Sequence, residues 1–216
     1  MARPKEFDKD TALHEAIRLF SQQGFAGTST DELMRVMNVG RQSMYDTFGD
    51  KRALFLKALE TYVNESVNTI RDALEAPGPP LAAIQNALVS FAERKDLSSA
   101  EGCMGINAVC EFGQRDTEVN QIVREAARRL REVLVDVLTR AKSRGELNDA
   151  VEVNNLADFF ESTLAGIRVA AKGGKSRQSL RNIASIAGRV YASAAWPSRR
   201  EPLPTCNQVT TGANSI

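Results

Sequence analysis

Several hydrogen-bonding side chains stand close together after Gly40. They are Arg41, Gln42, Ser43 and Tyr45. In the major groove of DNA, a guanidinium can pair with the acceptors of guanine, and a glutamine amide with the edge of adenine. Serine and tyrosine hydroxyls can hold phosphates. Recognition of a nucleic-acid duplex is therefore one chemistry that this stretch could perform.

Two short amphipathic helices would have to position these side chains. Thr28 or Ser29 can cap the first helix, because a hydroxyl oxygen there accepts a backbone N–H that has no partner within the helix. Asn38 lies where the chain must reverse, and asparagine tolerates the left-handed conformation better than most residues. The second helix follows, with Met44 and Phe48 facing inward. The pattern predicts a helix-turn-helix whose second helix has a polar outer face.

An ordinary pair of packed helices in a bundle would show the same pattern. Charge does not decide between these interpretations, because Met1 to Lys57 contain nine Lys/Arg and eight Asp/Glu. A DNA-binding domain usually carries a clear basic excess. Asp46 even places an acid on the helix that would contact the bases. On the pattern alone, both interpretations stay open.

Apolar residues recur at helical spacing along most of the 216-residue chain. Proline cannot continue a helix interior, so "APGPP" at 76–80 ends the long helix predicted for 51–75. No stretch shows the alternation of a half-buried strand. The sequence therefore predicts an all-α fold with helices at 8–23, 51–75, around Ile84 to Phe91, and at 119–141, 156–171 and 180–195, and a weakly patterned piece at 102–113.

Composition and residue counts narrow the function classes. A net charge of +1 favours no particular partner, and 43% hydrophobic with 25% charged residues is ordinary for a globular chain. No apolar run approaches the ~18 residues of a membrane span. Three cysteines without metal-type spacing favour a reducing cytoplasm. A single histidine, His14, excludes a multi-histidine metal centre and a Ser-His nucleophile system. We expect no metal, no cofactor, no membrane association and no enzymatic activity.

The run "ALHEAIRLFSQQGFAGTSTDELMRVMNVGRQSMYDTFGDKRALFLKAL" closely resembles the N-terminal domain of the tetracycline-repressor (TetR) family of transcriptional regulators. Asn38 stands where the family usually has glycine, Gly40 where it has serine or threonine, and Asp46 where a basic or aromatic residue is frequent. These departures affect the DNA contacts and leave the fold unaffected. The resemblance is carried by the Gly24-Phe25 turn, the Thr28-Ser29 cap, Leu33, Val39, the Tyr45-x-x-Phe48 pair, and Lys51 followed by Leu54.

This resemblance implies a DNA-binding domain at 1–57 and a ligand-binding and dimerisation domain at 58–196, connected by the long helix 51–75. The tail at 197–216, rich in Pro, Thr, Ser, Asn and Gly, is expected to be disordered. The implied base contacts are Arg41, Gln42 and Ser43. The implied phosphate contacts are Thr28, Ser29, Tyr45 and Lys51.

Members of the family are typically homodimers on palindromic operators, and their last two helices form a four-helix bundle with those of the partner. An ordinary intramolecular core is the alternative explanation for the apolar stripes of these helices. The residues that the resemblance places in the dimer interface are Phe159, Leu164, Ile167, Ile183, Ala187, Val190 and Tyr191.

The segment "EGCMGINAVCEFG" at 101–113 is expected to contribute to an effector pocket. Cys103, Asn107 and Cys110 share a helix face, and Glu111 lies beside it. A segment resembling "GCxxxN" occurs in several family members, some of which respond to electrophiles or oxidants. The full set of residues expected in the pocket is Phe91, Cys103, Met104, Asn107, Glu111, Phe160 and Trp196.

The expected function is a repressor that a small organic effector releases from a palindromic operator. One alternative makes Cys103 a reactive thiol whose thiolate a nearby helix N-terminus favours, although free cysteines are more often small buried residues. A further alternative, from another class, is a helical-bundle enzyme or carrier that uses the 101–113 region and binds no DNA.

Overall fold

Every regular element in the described chain is a helix, which confirms the all-α class. The computed structural model describes residues 7–94 and 103–192, and no strand occurs in them. Trp196 and the tail at 197–216 lie outside the described residues. The helices are α1 (Lys9–Gln23), α2 (Thr30–Met37), α3 (Arg41–Phe48), α4 (Lys51–Leu74), α5 (Pro80–Ala92), α6 (Met104–Phe112), α7 (Thr117–Ser143), α8 (Val153–Lys172) and α9 (Arg177–Ala192).

Aspartate side chains begin three of these helices. The carboxylate of Asp8 accepts the N–H of Thr11 at 2.7 Å, and that of Asp50 accepts the N–H of Ala53 at 2.8 Å. Asp116 caps α7 in the same way. Each carboxylate satisfies a backbone donor that the helix leaves unpaired, and its charge is favourable at the positive end of the helix dipole.

The N-terminal core is formed by α1, α2, α3 and the first half of α4. Leu33 and Met44 are fully buried in it, and the rings of Phe20 and Phe55 meet edge to face at 5.1 Å. Met104 and Ala108 of α6 belong to the same core, although they come much later in the chain. The N-terminal helical unit is therefore completed by a helix from the C-terminal part.

The C-terminal core lies between the second half of α4 and α5, α7, α8 and α9. Leu134 and Phe160 are fully buried there, and the hydroxyl of Tyr191 donates to the carbonyl of Leu156 at 2.9 Å. α5 and α9 approach closely at Gly188, where a Cβ would come within 2.7 Å of the Gln85 side chain. The two cores confirm the predicted arrangement of an N-terminal helix-turn-helix unit and a C-terminal helical unit.

α4 runs through both cores. Leu54 and Leu59 are buried in the N-terminal core, and Ile70 and Leu74 in the C-terminal core. α4 ends at Leu74, just before the proline-rich segment that was expected to stop it. Within the described residues, none of the helices combines the length and the apolar character that crossing a membrane requires.

Candidate nucleic-acid interface and ligand cavity

The first helix of the helix-turn-helix is held at its start by a reciprocal capping box. The backbone N–H of Glu32 donates to the Ser29 hydroxyl at 3.2 Å, and the Glu32 carboxylate accepts the backbone N–H of Ser29 at 3.0 Å. The Ser29 hydroxyl, which donates to Glu32 Oε2 at 2.8 Å, lowers the pKa of the Glu32 carboxyl, and the Ser29 N–H adds to this effect, because both favour the charged form. The carboxylate therefore stabilises the entry into α2.

The turn between α2 and α3 follows the predicted course. Asn38 adopts the left-handed conformation with φ 53° and ψ 46°, which confirms its predicted role in reversing the chain. The backbone N–H of Val39 donates to the carbonyl of Met34 at 3.1 Å and closes the turn. Gly40 then begins α3 without a side-chain cap, and a Cβ at this position would meet no atom within 4 Å.

α3 exposes its polar face and buries its apolar one. Met44 is 0% and Phe48 7% exposed, whereas Tyr45 is 43% exposed. Arg41 and Gln42 are also exposed, and Ser43 is half-buried. The side chains predicted to contact DNA on this helix are thus directed away from the core.

In the free protein, the side chains of Arg41 and Gln42, which are candidates for base contacts, each pair with an acidic residue. Arg41 Nη2 lies 3.0 Å from Asp31 Oδ1, and Gln42 Nε2 donates to Asp46 Oδ1 at 2.8 Å. Such exposed contacts are worth only about 0–1 kcal/mol each. Both groups can therefore exchange these partners for base edges at small cost.

The residues predicted to contact phosphates differ in their availability. Ser29 is exposed, with its hydroxyl donating to Glu32, and Lys51 Nζ lies 4.3 Å from the centroid of the Phe25 ring. Thr28 is 2% exposed, and its hydroxyl donates to the carbonyl of Gly24 at 2.6 Å. The prediction for Thr28 is corrected, because its side chain stabilises the turn after α1 and does not face solvent.

A cavity of about 230 Å³ lies between α4, α6, α7 and α8. Only four of its lining residues carry polar side-chain groups, and these are Tyr62, Ser66, Glu161 and Arg168. A mostly apolar cavity with a few convergent polar groups is the usual form of a small-molecule site. Its apolar walls include Val67, Ile70, Ile106, Val123, Leu130 and Leu164.

The pocket residues expected from the sequence do not line this cavity. Phe91 and Phe160 are buried in the C-terminal core, and Met104 is fully buried in the N-terminal core. Phe91, Phe160 and Met104 are not among the residues that line the cavity. This cavity therefore does not support the prediction for these three residues, and Trp196 lies outside the described residues.

The two polar residues expected in the pocket contact the N-terminal unit instead. The Asn107 amide donates to the carbonyl of Ser21 at 2.8 Å, and its oxygen accepts from Lys172. The Glu111 carboxylate accepts the backbone N–H groups of Phe25 at 2.8 Å and Ala26 at 3.0 Å. This cavity does not support either prediction, and both side chains instead pair with backbone groups around the end of α1.

The cysteines of α6 lie in different surroundings. Cys103 is 1% exposed, and its sulfur accepts a hydrogen bond from the Tyr62 hydroxyl at 3.3 Å. Cys103 therefore lies behind a cavity-lining residue and does not itself line the cavity. Cys110 is exposed. In the described part of the chain, no group of three or more His, Cys, Asp or Glu is arranged to hold a metal ion.

The polar groups of the cavity were not predicted from the sequence. Arg168 Nη2 donates to Ser66 Oγ at 2.8 Å, and Arg131 Nη1 donates to Glu161 Oε2 at 3.1 Å. Burial raises the pKa of Glu161, because desolvation disfavours its charged form. The sequence did contain one signal of a polar group in the interior: Ser66 interrupts the apolar stripe of α4 between Val63 and Ile70.

An exposed apolar face runs along α8 and α9. Phe159, Ile183 and Val190 are exposed, as the dimer prediction requires, and Val169 and Ile186 belong to the same set. The remaining predicted interface residues are buried in the core of the subunit, so the prediction is corrected for Leu164, Ile167, Ala187 and Tyr191.

Comparisons with known proteins agree with this architecture. Residues 12–58 match the family model for bacterial regulatory proteins of the tetR family, and residues 77–186 match the tetracyclin repressor-like C-terminal domain. An uncharacterized HTH-type transcriptional regulator of Bacillus subtilis strain 168, YezE, is 33% identical over 174 residues, which cover 80% of this chain and 90% of that protein.

A transcriptional repressor and a regulator solved with DNA are also similar to this chain. The HTH-type transcriptional repressor ComR of Escherichia coli K12 is 27% identical, over 88% of this chain and 91% of its own length. A cysteine mutant of the TetR family transcriptional regulator CifR, solved in complex with a 26-bp double-strand operator, is 27% identical, with a TM-score of 0.74 over 91% of this chain and 100% of that one. The chain therefore belongs to the TetR family of DNA-binding transcriptional regulators.

Proposed function

We propose that this chain represses transcription as a homodimer on a palindromic operator and that a small organic effector releases it. The observation that carries this proposal is the exposed polar face of α3, presented by a capped and packed helix-turn-helix. The description of ComR as a repressor and the operator DNA in the CifR complex support it. We assign DNA binding to residues 1–57, and effector binding and dimerisation to 58–196.

The exposed apolar face of α8 and α9 supports a dimer. Ile183, Ile186 and Val190 recur at helical spacing on α9, so they form one stripe. On α8, Phe159 and Val169 are exposed as well. Exposed apolar side chains grouped on two neighbouring helices favour a protein interface. Two helix-turn-helix units held together could address two half-sites one helical turn apart.

α6 is the element through which a ligand would affect DNA binding. Gly105, Ile106 and Val109 line the cavity, whereas Met104 and Ala108 are buried in the N-terminal core. A molecule that fills the cavity contacts the cavity-lining side of α6. The side with Met104 and Ala108 packs against the helix-turn-helix unit, so a shift of α6 changes the position of α3.

Hydrogen bonds and an ion pair also fix α6 and α7 to the N-terminal unit. Asn107 holds the carbonyl end of α1, and Glu111 holds the backbone N–H groups of the turn that follows α1. Arg52 at the start of α4 donates to both oxygens of Asp116, which caps α7, at 2.7 and 2.8 Å. A ligand that prefers the arrangement of α6 unsuited to DNA weakens operator binding. The operator weakens ligand binding by the same coupling free energy, typically ~1–3 kcal/mol.

The proposal is tested by asking whether the purified protein binds DNA from its own genomic neighbourhood. We expect a shifted band in a gel, and a nuclease footprint over a palindrome that binds one or two dimers. Replacing Arg41 and Gln42 together by alanine should abolish the shift, because both base-contacting groups are lost. The exposed Arg140, which pairs with Asp136 on α7, supplies the control Arg140→Ala, which should bind normally. Equal binding to unrelated DNA of the same length would contradict sequence-specific repression.

A thiol-based switch is a second candidate, and the contact between Tyr62 and Cys103 favours it. Tyr62 lines the cavity and donates to the Cys103 sulfur at 3.3 Å, so the thiol is one residue away from a ligand site. Methyl vinyl ketone, an electrophile that adds to thiols without an oxidant, would then release the wild-type protein from its operator and fail to release Cys103→Ala. Equal release of both proteins would eliminate this candidate.

A further inference from the structure

One end of the cavity is lined by two hydrogen-bonded residues, Ser66 and Arg168. Ser66 is 3% exposed, and its oxygen accepts Nη2–H of Arg168 at 2.8 Å and Nη1–H of Arg94 at 3.1 Å. The guanidinium of Arg168 lies 4.9 Å, and that of Arg94 5.6 Å, from the centroid of the Phe91 ring. This polar end therefore gathers hydrogen-bond donors and positive charge around one buried hydroxyl.

The hydrogen-bond donors of Ser66 and Arg168 are not all paired within the described residues. A serine hydroxyl has two lone pairs and one proton, and both lone pairs of Ser66 are used by the guanidinium groups. Its own O–H has no acceptor among the described residues. Arg168 Nε is also buried and, within the described part of the chain, has no hydrogen-bond partner. Buried donors are normally paired, so an unpaired one in a cavity suggests a missing acceptor.

The charge of Arg168 is not matched by the cavity itself. Glu161 is the acid of the lining, and Arg131 already pairs with it at 3.1 Å. Within residues 7–94 and 103–192, no carboxylate forms an ion pair with Arg168. The Phe91 ring stabilises the cation through its π face but accepts no conventional hydrogen bond from it. An anionic group that only accepts hydrogen bonds fits this end of the cavity.

The remaining walls are apolar and limit the size of a ligand. Val67, Ile106 and Leu130 are among the residues that enclose the space. The volume of about 230 Å³ is below the ~300–1,000 Å³ of sites for drug-sized ligands. The space therefore suits a compact apolar body with a single polar end.

We infer that the cavity binds a small monocarboxylate, with its carboxylate on Arg168 and Ser66 and its apolar body between α4, α6 and α7. The guanidinium offers N–H donors in the planar arrangement that carboxylates accept. This inference rests on the proposed function in one respect, since it takes the cavity to be the effector site. The carboxylate supplies an acceptor for Arg168 Nε and a negative charge for its guanidinium, neither of which the described residues provide.

The experiment measures ligand binding to the full-length protein without DNA. Benzoate and hexanoate are titrated calorimetrically beside benzamide and hexanamide, which match them in size and lack the charge. We expect saturable binding of at least one acid, about tenfold or more tighter than its amide. This comparison uses the wild-type protein and does not depend on any variant folding correctly.

Variants then locate the carboxylate. Arg168→Met should weaken binding of the acid about tenfold or more, Ser66→Ala should weaken it less, and Arg168→Lys should retain part of it because the charge remains. Arg140→Met, on an exposed arginine that pairs with Asp136, is the control and should bind as the wild type does. Thermal unfolding of each unliganded variant verifies that it is folded.

The outcomes separate this inference from the repressor proposal. The inference is overturned if neither acid binds, if the amides bind equally well, or if Arg168→Met binds the acid like the wild type. Repression itself would stand in those cases, because operator binding is measured separately. If an acid binds through Arg168 and leaves operator affinity unchanged, the ligand class is correct and the effector-release part of the proposed function is wrong.

Discussion

The Glu111 carboxylate accepts the backbone N–H of Phe25 at 2.8 Å and so joins α6 to the turn after α1, across 86 residues of sequence. The same carboxylate accepts the N–H of Ala26 at 3.0 Å. Phe112, the next residue, packs its ring 5.6 Å from that of Phe25. One short helix thus ties the C-terminal helical unit to the N-terminal helix-turn-helix unit through both polar and aromatic contacts.

Replacing Glu111 by glutamine should destabilise the protein. A glutamine carbonyl can accept hydrogen bonds but lacks the charge and the second oxygen that serve Phe25 and Ala26. We expect the free energy of unfolding in urea to fall by about 0.5–1.5 kcal/mol, because these hydrogen bonds are exposed to solvent. Glu60→Gln, at an exposed position of α4, is the control and should change stability little. If both variants matched the wild type, the contact would not contribute to the fold.

Asp46→Asn should strengthen operator binding. The substitution removes a negative charge from the helix that we propose to lie against DNA. It also weakens the hydrogen bond that Gln42 donates to residue 46, now at 2.8 Å. We expect an affinity gain of roughly twofold to tenfold at low salt. The gain should shrink as salt increases, because the repulsion between exposed charges is screened. Asp136→Asn on α7 should have no effect, and an affinity loss in Asp46→Asn would show that the acid itself contacts DNA.

Ile186→Glu should dissociate the proposed dimer. Ile186 is 55% exposed in the single chain, so a charge there is harmless to the monomer and costly inside an apolar interface. We expect sedimentation to show a monomer at micromolar concentration, with unchanged helix content and much weaker operator binding. Thr139→Glu, on the exposed side of α7, should remain dimeric. A dimeric Ile186→Glu would place the interface elsewhere.

His14 should make stability depend on pH. Its Nδ1 lies 2.8 Å from the Asp10 carbonyl oxygen and its Nε2 3.0 Å from Glu65 Oε1. The Asp10 carbonyl is the larger cause and the Glu65 carboxylate adds to it, so the pKa of His14 is raised above its usual 6.5. A raised pKa in the folded state means that protonation favours folding.

This stabilisation is complete below about pH 6.5, the pKa of the unfolded chain, and is lost as the pH rises through the folded-state pKa. We expect His14→Gln to lower the free energy of unfolding more at about pH 5.5 than at about pH 9. The effect should be small, because His14 and Glu65 are largely exposed to solvent. A larger loss at the higher pH would contradict the assigned direction.

Local signals in the sequence were sufficient for the helix-turn-helix. The left-handed Asn38, the inward Met44 and Phe48, and the exposed Arg41 and Gln42 follow from residue types and spacing within the segment 28–48. Residue spacing and backbone preference encode such features directly. Thr28 was misassigned because a threonine next to a helix cap is equally compatible with a hydroxyl that faces solvent and with one that, as here, donates to the carbonyl of an adjacent turn.

Long-range packing explains what the sequence could not reveal. Met104 and Ile106 are both apolar residues of α6, yet one is buried in the N-terminal core and the other lines the cavity. Likewise, Ile167 is buried and Phe159 is 39% exposed on the same helix. Periodicity identifies an apolar stripe but not which neighbour covers it. Ser66 and Arg168 meet across 102 residues, so their shared site is visible only in the fold.

The most direct test of the central claim, that the outer face of α3 lies in the major groove, combines protein variants with base-pair changes in the operator. Arg41→Ala should remove about 1–3 kcal/mol of discrimination at one symmetric pair of base pairs. Lys51→Ala should weaken binding to all sequences alike and reduce the salt dependence. If Arg41→Ala and Gln42→Ala both kept the affinity and base discrimination of the wild type, α3 would not be the element that recognises DNA.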